Sequence, residues 1–187
     1  MPRRPGVAGA EDRVSVLLLA ALLFPAFPAA RAGEDEIPVI QRYLVHLKLG
    51  DDLEEVRRIY PPAQEWPSSM DPRGRVTRYR VERAWAKTFP LKVQILHLGF
   101  KKGRLVEIQV VYDEKFSSAK TYETMAGDFS LLYGEPVRSG DRFWWADAHT
   151  VLRVFPAEIP LAKNGDKAVE WRTSVQIYEK GVFDRVD

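Results

Sequence analysis

The chain has 187 residues, no cysteine, and a formal net charge of +2 from 28 basic and 26 acidic side chains. The lack of cysteine excludes disulfides, thiolate metal sites, thiol nucleophiles and a lipid-bearing N-terminal cysteine. The near balance of charge gives no general pull toward nucleic acid or an anionic membrane.

Residues 1–32 read as a secretory signal peptide. Arg3, Arg4 and Arg13 form a basic start, and Val14 to Phe24 is an apolar run of eleven residues. Pro25 and Pro28 break that run, and Ala30-Arg31-Ala32 places small residues at a cleavage site. The run falls short of the roughly 20 apolar residues a membrane-spanning helix needs, so no integral membrane segment is expected after cleavage. Removal of the signal takes away four arginines, Glu11 and Asp12, which leaves 24 basic and 24 acidic residues. The only asparagine is Asn164, followed by Gly165 and Asp166, so there is no N-glycosylation sequon. Periplasmic or secreted localisation in a bacterium is the expectation.

Gly33 to Pro38 is an acidic arm. Tyr43 to Leu49 alternates loosely and predicts one short strand. Gly50 opens a helix, with Asp51 as N-cap and Glu54 completing a capping box. Leu53, Val56 and Ile59 or Tyr60 share one face, and Pro61-Pro62 ends the helix. Gln64 to Gly74 reads as loop. Three strands follow: Arg75 to Arg83, Lys92 to Phe100 and Arg104 to Asp113. The last two are joined by a hairpin turn at Lys101-Lys102-Gly103. A second helix starts at Ser117 or Ser118. Tyr122, Met125, Phe129 and Leu132 recur along it at helical spacing, which predicts burial of Phe129 and Leu132. Gly134 and Pro136 end it. Strands at Arg142 to Ala146, Thr150 to Phe155 and Ala168 to Glu179 complete the chain, with a turn at Asn164-Gly165.

The halves echo each other at a spacing of 73 residues. Val56, Ile59 and Tyr60 align with Phe129, Leu132 and Tyr133, and Thr77, Arg80 and Val81 with Thr150, Arg153 and Val154. Ile108 to Lys115 also echoes Val175 to Lys180. This predicts an α+β fold of two helix-plus-three-strand units, residues 33–115 and 116–187. The units are expected to form one compact domain, an antiparallel sheet with helices packed on one face.

Gly50-Asp-Asp-Leu-Glu-Glu-Val56-Arg-Arg-Ile-Tyr60-Pro-Pro62 resembles the glycine-helix-proline opening of the SmpA/OmlA (BamE-like) envelope family. Tyr133-Gly134-Glu135-Pro136 resembles the helix ending of the same group. Two such units in tandem resemble the beta-lactamase-inhibitor-protein-like fold. That resemblance implies paired repeats sharing one concave binding sheet. The chain departs from the first group in lacking the lipid-bearing cysteine and from the second in lacking disulfides.

Candidate chemistry is sparse. No nucleophile elbow, phosphate-binding glycine loop or paired metal-ligating histidines occur. His46 and His97 lie in apolar strands and read as packing residues. Asp141, Asp147 and His149 form the one carboxylate–imidazole set; a polar turn at Asp147-Ala148-His149 accounts for it, so neither a metal nor a cofactor is expected. Glu34-Asp35-Glu36 reads as a solvated tail and Asp51-Asp52 as a helix start.

Two surface signals remain. From Arg73 to Arg104 there are ten basic residues and one acidic, Glu82. Alternation puts Arg78 and Arg80 together on one sheet face, where they are solvated or meet an acidic protein partner. Phe143, Trp144 and Trp145 are consecutive, so in a strand at least one leaves the core face. Trp66, Trp85 and Trp171 read as core or loop-packing residues. The expected function is a non-enzymatic protein-binding module of the cell envelope, with Arg78, Arg80, Trp144 and Trp145 as contact residues. The alternative is a proteinaceous inhibitor of a secreted hydrolase using the same surface. A small metal-assisted hydrolase at Asp141, Asp147 and His149 ranks third.

Overall fold

The computed structural model describes residues 38–72, 75–160 and 169–183. The signal peptide, its cleavage site, the acidic arm before Pro38, Arg73 and the Asn164-Gly165 turn lie outside the described residues. The structure is mostly β, with 49% of these residues in strands or bridges and 21% in helices. Ten strands and three α-helices make it up. A two-stranded ribbon, β1 (Tyr43–Leu44) and β2 (Leu47–Lys48), precedes α1 (Leu53–Ile59). Then come β3 (Ser68–Met70), β4 (Thr77–Glu82), β5 (Val93–Lys101) and β6 (Arg104–Tyr112). Two helices, α2 (Glu114–Ala119) and α3 (Tyr122–Tyr133), lead into β7 (Val137–Ser139), β8 (Arg142–Ala146), β9 (Thr150–Pro160) and β10 (Val169–Glu179).

Eight strands form one antiparallel sheet in the order β3-β4-β5-β6-β10-β9-β8-β7. This overturns two helix-plus-three-strand units. Each half is a four-stranded meander, and β6 and β10 join the two meanders edge to edge, Ile108 opposite Ile177 and Val110 opposite Val175. The two unpredicted strands, β3 and β7, are the sheet edges. All three residues of each are exposed, so neither carries the apolar alternation that marks a half-buried strand. The 73-residue echo pairs α1 with α3, but it sets β4, the second strand of its meander, against β9, the third of the other.

Local chemistry explains the element ends. Asp52, one residue later than expected, caps α1 by accepting the Glu55 N–H at 2.9 Å, while Asp51 accepts the Lys48 N–H at 2.8 Å. The predicted second helix is two. Asp113 caps α2 and Thr121 caps α3, each accepting an N–H three residues on. The predicted strand over Tyr43–Leu49 is instead the β1–β2 ribbon, because Val45 and His46 both take positive φ and reverse the chain. Lys102 and Gly103 do the same between β5 and β6, where the turn was expected. β9 continues past Phe155 through Pro156. β8 stops pairing at Phe143–Val154, so Pro156 sits where one side of β9 has no β8 partner and its missing N–H costs no ladder bond.

The main core lies between the helices and one face of the sheet. Val81, Leu96, Leu98, Ile108, Val110, Leu152, Val154, Val175 and Ile177 supply the sheet side. Val56 of α1 and Met125 and Ala126 of α3 supply much of the helix side. Phe129 is half-buried, its ring 6.0 Å from that of Trp145. Leu132 is 64% exposed and Leu131 is 87% exposed, against the expectation for Leu132. The sheet-facing stripe of α3 therefore runs Tyr122, Met125, Ala126, Phe129, Tyr133.

Candidate binding face

The helices leave the opposite face of the sheet uncovered. Strand alternation and register fix which side chains it carries. One transverse row runs Arg80, His97, Gln109, Gln176, Arg153, Trp144, each opposite the next on neighbouring strands. A second row holds Arg78, Gly99, Glu107 and Tyr178. A third brings Ile95 opposite Val111, Val111 opposite Ser174, and Ser174 opposite Phe155.

At one end this face is filled by the chain itself. Val182 packs with Val76 and Val106, and Phe183 joins them. The Phe183 ring meets that of Tyr178 edge-on at 5.2 Å, and the Arg78 guanidinium lies 5.1 Å from its centre. Beside this plug sits Glu107, only 2% exposed in the middle of an apolar strand. Arg78 donates to it through Nε at 2.8 Å and Nη2 at 3.2 Å, and Gln176 donates a third bond at 2.6 Å. A buried carboxylate needs this degree of satisfaction to remain charged. Gly99 makes the room. A Cβ there would stand 2.6 Å from a Glu107 carboxylate oxygen and 3.0 Å from Val76.

Among the described residues, none closes over the other end. A groove of about 580 Å³ is lined by His97, Gln109, Val111, Phe155, Ala157, Ile159 and Trp171, with the β7–β8 turn, Ser139 to Arg142, along its rim. It takes walls from both meanders, so the face is hollow here rather than flat. Its floor belongs to a separate apolar cluster of Ile95, Val111, Ala157 and Ile159. Gln109 is held in place by donating to the Ser174 hydroxyl at 3.1 Å. Burial, reinforced by Arg80 and Arg78, pushes the His97 pKa down to about 4, so its imidazole is neutral at pH 7.

Comparison with protein-family models, curated proteins and solved structures returns no match.

The sequence-predicted contact residues therefore separate. Arg78 and Arg80 do share the open face. Arg78 is committed to Glu107 and Phe183, and Arg80 pairs with Glu82 at 2.8 Å. Trp144 is half-buried on the open face opposite Arg153. Trp145 is a core residue, 5% exposed, with its indole N–H donating to the Gly134 carbonyl at 2.8 Å. Trp171, expected to be a core or loop-packing residue, is 57% exposed at the groove.

Asp141, Asp147 and His149 do not converge. Asp141 and Asp147 flank opposite ends of β8, which at ~3.3 Å per residue sets them about 20 Å apart. Asp147 ties the turn together instead, accepting N–H bonds from His149 at 2.7 Å, Thr150 at 2.6 Å and Ile40 at 2.8 Å. Burial raises its pKa, but these donors outweigh that and hold the carboxyl below its ordinary value. Among the described residues no cluster of three metal-ligating side chains occurs.

Sequence reasoning missed Glu107, Gly99 and the groove floor. The first two left signals, a lone carboxylate in an apolar run and a glycine inside a strand, which marks close approach of a neighbour.

A second groove, of about 520 Å³, lies at the β5–β6 hairpin on the helix side. Leu53, Met70, Tyr79 and Phe100 give it an apolar lining beside Lys101 and Lys102. It belongs to the first meander and α1 alone.

Proposed function

We propose that this protein is a non-enzymatic protein-binding module of the bacterial cell envelope, periplasmic or secreted, and that the open face of its sheet is the contact surface. The observation that carries this reading is the groove. It lies on a sheet face without helices, draws on both meanders, and has an apolar floor with Trp171 exposed at its rim. An apolar hollow rimmed by polar residues is the usual form of an interaction site. The signal-peptide pattern supports the location.

Position-specific photo-crosslinking in the native host tests it. A crosslinker at Trp171 or Gln109 should capture one discrete protein, and a crosslinker at Leu131, exposed on α3, should not. Capture of an envelope assembly protein favours the module; capture of one secreted hydrolase favours the inhibitor alternative. Capture from Leu131 alone overturns the open face as the contact surface.

A further inference from the structure

The open face carries several arginines, and the structure provides carboxylates for most of them. Arg78 has Glu107, Arg80 has Glu82, and Arg172 has Glu170. Arg153 is different. It is the fourth residue of β9, opposite Gln176 on one side and Trp144 on the other. Its Nε and Nη2 are buried and have no hydrogen-bond partner among the described residues. Its guanidinium carbon lies 4.9 Å from the centre of the Tyr178 ring, an attraction that leaves the N–H donors unused. The neighbouring Gln176 turns its amide N–H toward Glu107. Buried donors without partners are rare in native structures and call for a cause.

The same face shows what fills such a gap. Arg78 presents Nε and Nη2, the side-on edge of its guanidinium, to the two oxygens of Glu107. Nε and Nη2 are the two atoms that Arg153 leaves empty. A planar fork of this kind matches a carboxylate bidentately. We propose that Arg153 receives a carboxylate from an acidic side chain of the partner protein, with Trp144 packing beside the incoming segment. Arg153 as a whole is half-buried on this face and its Nε–Nη2 edge lies against Tyr178 in the unbound protein, so the carboxylate is met by an outward turn of the side chain. This assignment rests on the open face being the contact surface. It also relocates the acidic contact expected at Arg78 and Arg80 to a residue whose charge is not already answered within the chain.

The test uses the ¹⁵N-labelled full-length protein and two acetylated peptides of identical apolar sequence, one carrying a single Glu and the other Gln. The Glu peptide should shift the Arg153 Nε–H resonance saturably, together with the amides of Gln109 and Gln176, and bind at least tenfold more tightly than the Gln peptide. Arg153→Gln should abolish that discrimination and Arg80→Gln should keep it. Inorganic phosphate at the same concentration should not reproduce the shift; if it does, the site is a general anion site and the proposal fails. If both peptides shift Gln109 and Gln176 equally, the open face binds but Arg153 does not read charge, and only this proposal falls. If neither peptide moves an open-face resonance, both readings fall. Stability supplies an independent check. Arg153→Met should melt at or above the wild-type temperature, since it removes unpaired donors. A clear loss of stability would show that the guanidinium is already satisfied within the fold and would overturn the assignment.

Discussion

The two ends of the open face are built on the same strands, and they have opposite fates. At one end the chain closes over itself with Val182 and Phe183, and every charge there has an answer in Arg78, Glu107 and Gln176. At the other end the floor is equally apolar, yet Trp171 stands out in solvent. Sheet register dictates neither outcome. The difference is whether a described segment of the chain covers the face: Val182 and Phe183 do so at one end, and among the described residues none does at the other.

Substitutions should separate the two ends. Arg78→Met leaves the Glu107 carboxylate buried without its cation and should cost about 3–5 kcal/mol, the low end if water reaches the gap. Urea unfolding measures this, and a loss below ~1 kcal/mol would mean the filled end is not held by this pair.

Acid should come next. The folded His97 pKa of about 4 lies below the ordinary value of 6.5, so the unfolded chain binds the proton first as pH falls. The stability owed to neutral His97 is full above the unfolded value and is lost as pH drops from 6.5 toward 4, by about 2–3 kcal/mol. His97→Gln should flatten that part of the pH–stability curve. An unchanged slope would assign the acid sensitivity to other groups.

Gly99→Ala forces a Cβ against Glu107 and Val76 and should cost about 1–3 kcal/mol as overpacking. Its effect should shrink in an Arg78→Met background, because both act on one network. The smallest effect belongs to Arg80→Ala. Its pair with Glu82 is partly exposed, and its loss should stay within about 0.5 kcal/mol. A larger loss would extend the filled end further across the sheet than the contacts indicate.

How much of this was legible depends on locality. Strands β5 and β6 and the Lys102-Gly103 turn were readable because alternation and turn chemistry are short-range. Strands β3 and β7 were not, since an exposed edge places no demand on residue type. The helix boundary at Lys120-Thr121 was hidden because Ser117 and Ser118 are as good caps as Thr121 on paper. For the site, strand alternation put Arg78 and Arg80 on one face, as the β4 register has them. It could not reveal that Arg78 is joined to Glu107, 29 residues away, while Arg153, in a stretch with no excess of charge, is left unpaired. Pairing is decided by strand order, and strand order across the β6–β10 seam leaves no local trace. The consecutive tryptophans illustrate the same limit: alternation required them to part, but only the helix position showed that Trp145 goes inward.

The place of β10 in the sheet has a temporal consequence. It is the last of the described strands to be synthesised, yet it lies at the sheet's centre, pairing with β6 on one side and β9 on the other. A nascent chain still lacking this segment presents two apolar edges with nothing between them, and such edges invite pairing with other chains. The sheet therefore cannot mature progressively from its N-terminal end. The two meanders can join only when β10 arrives and closes both ladders at once.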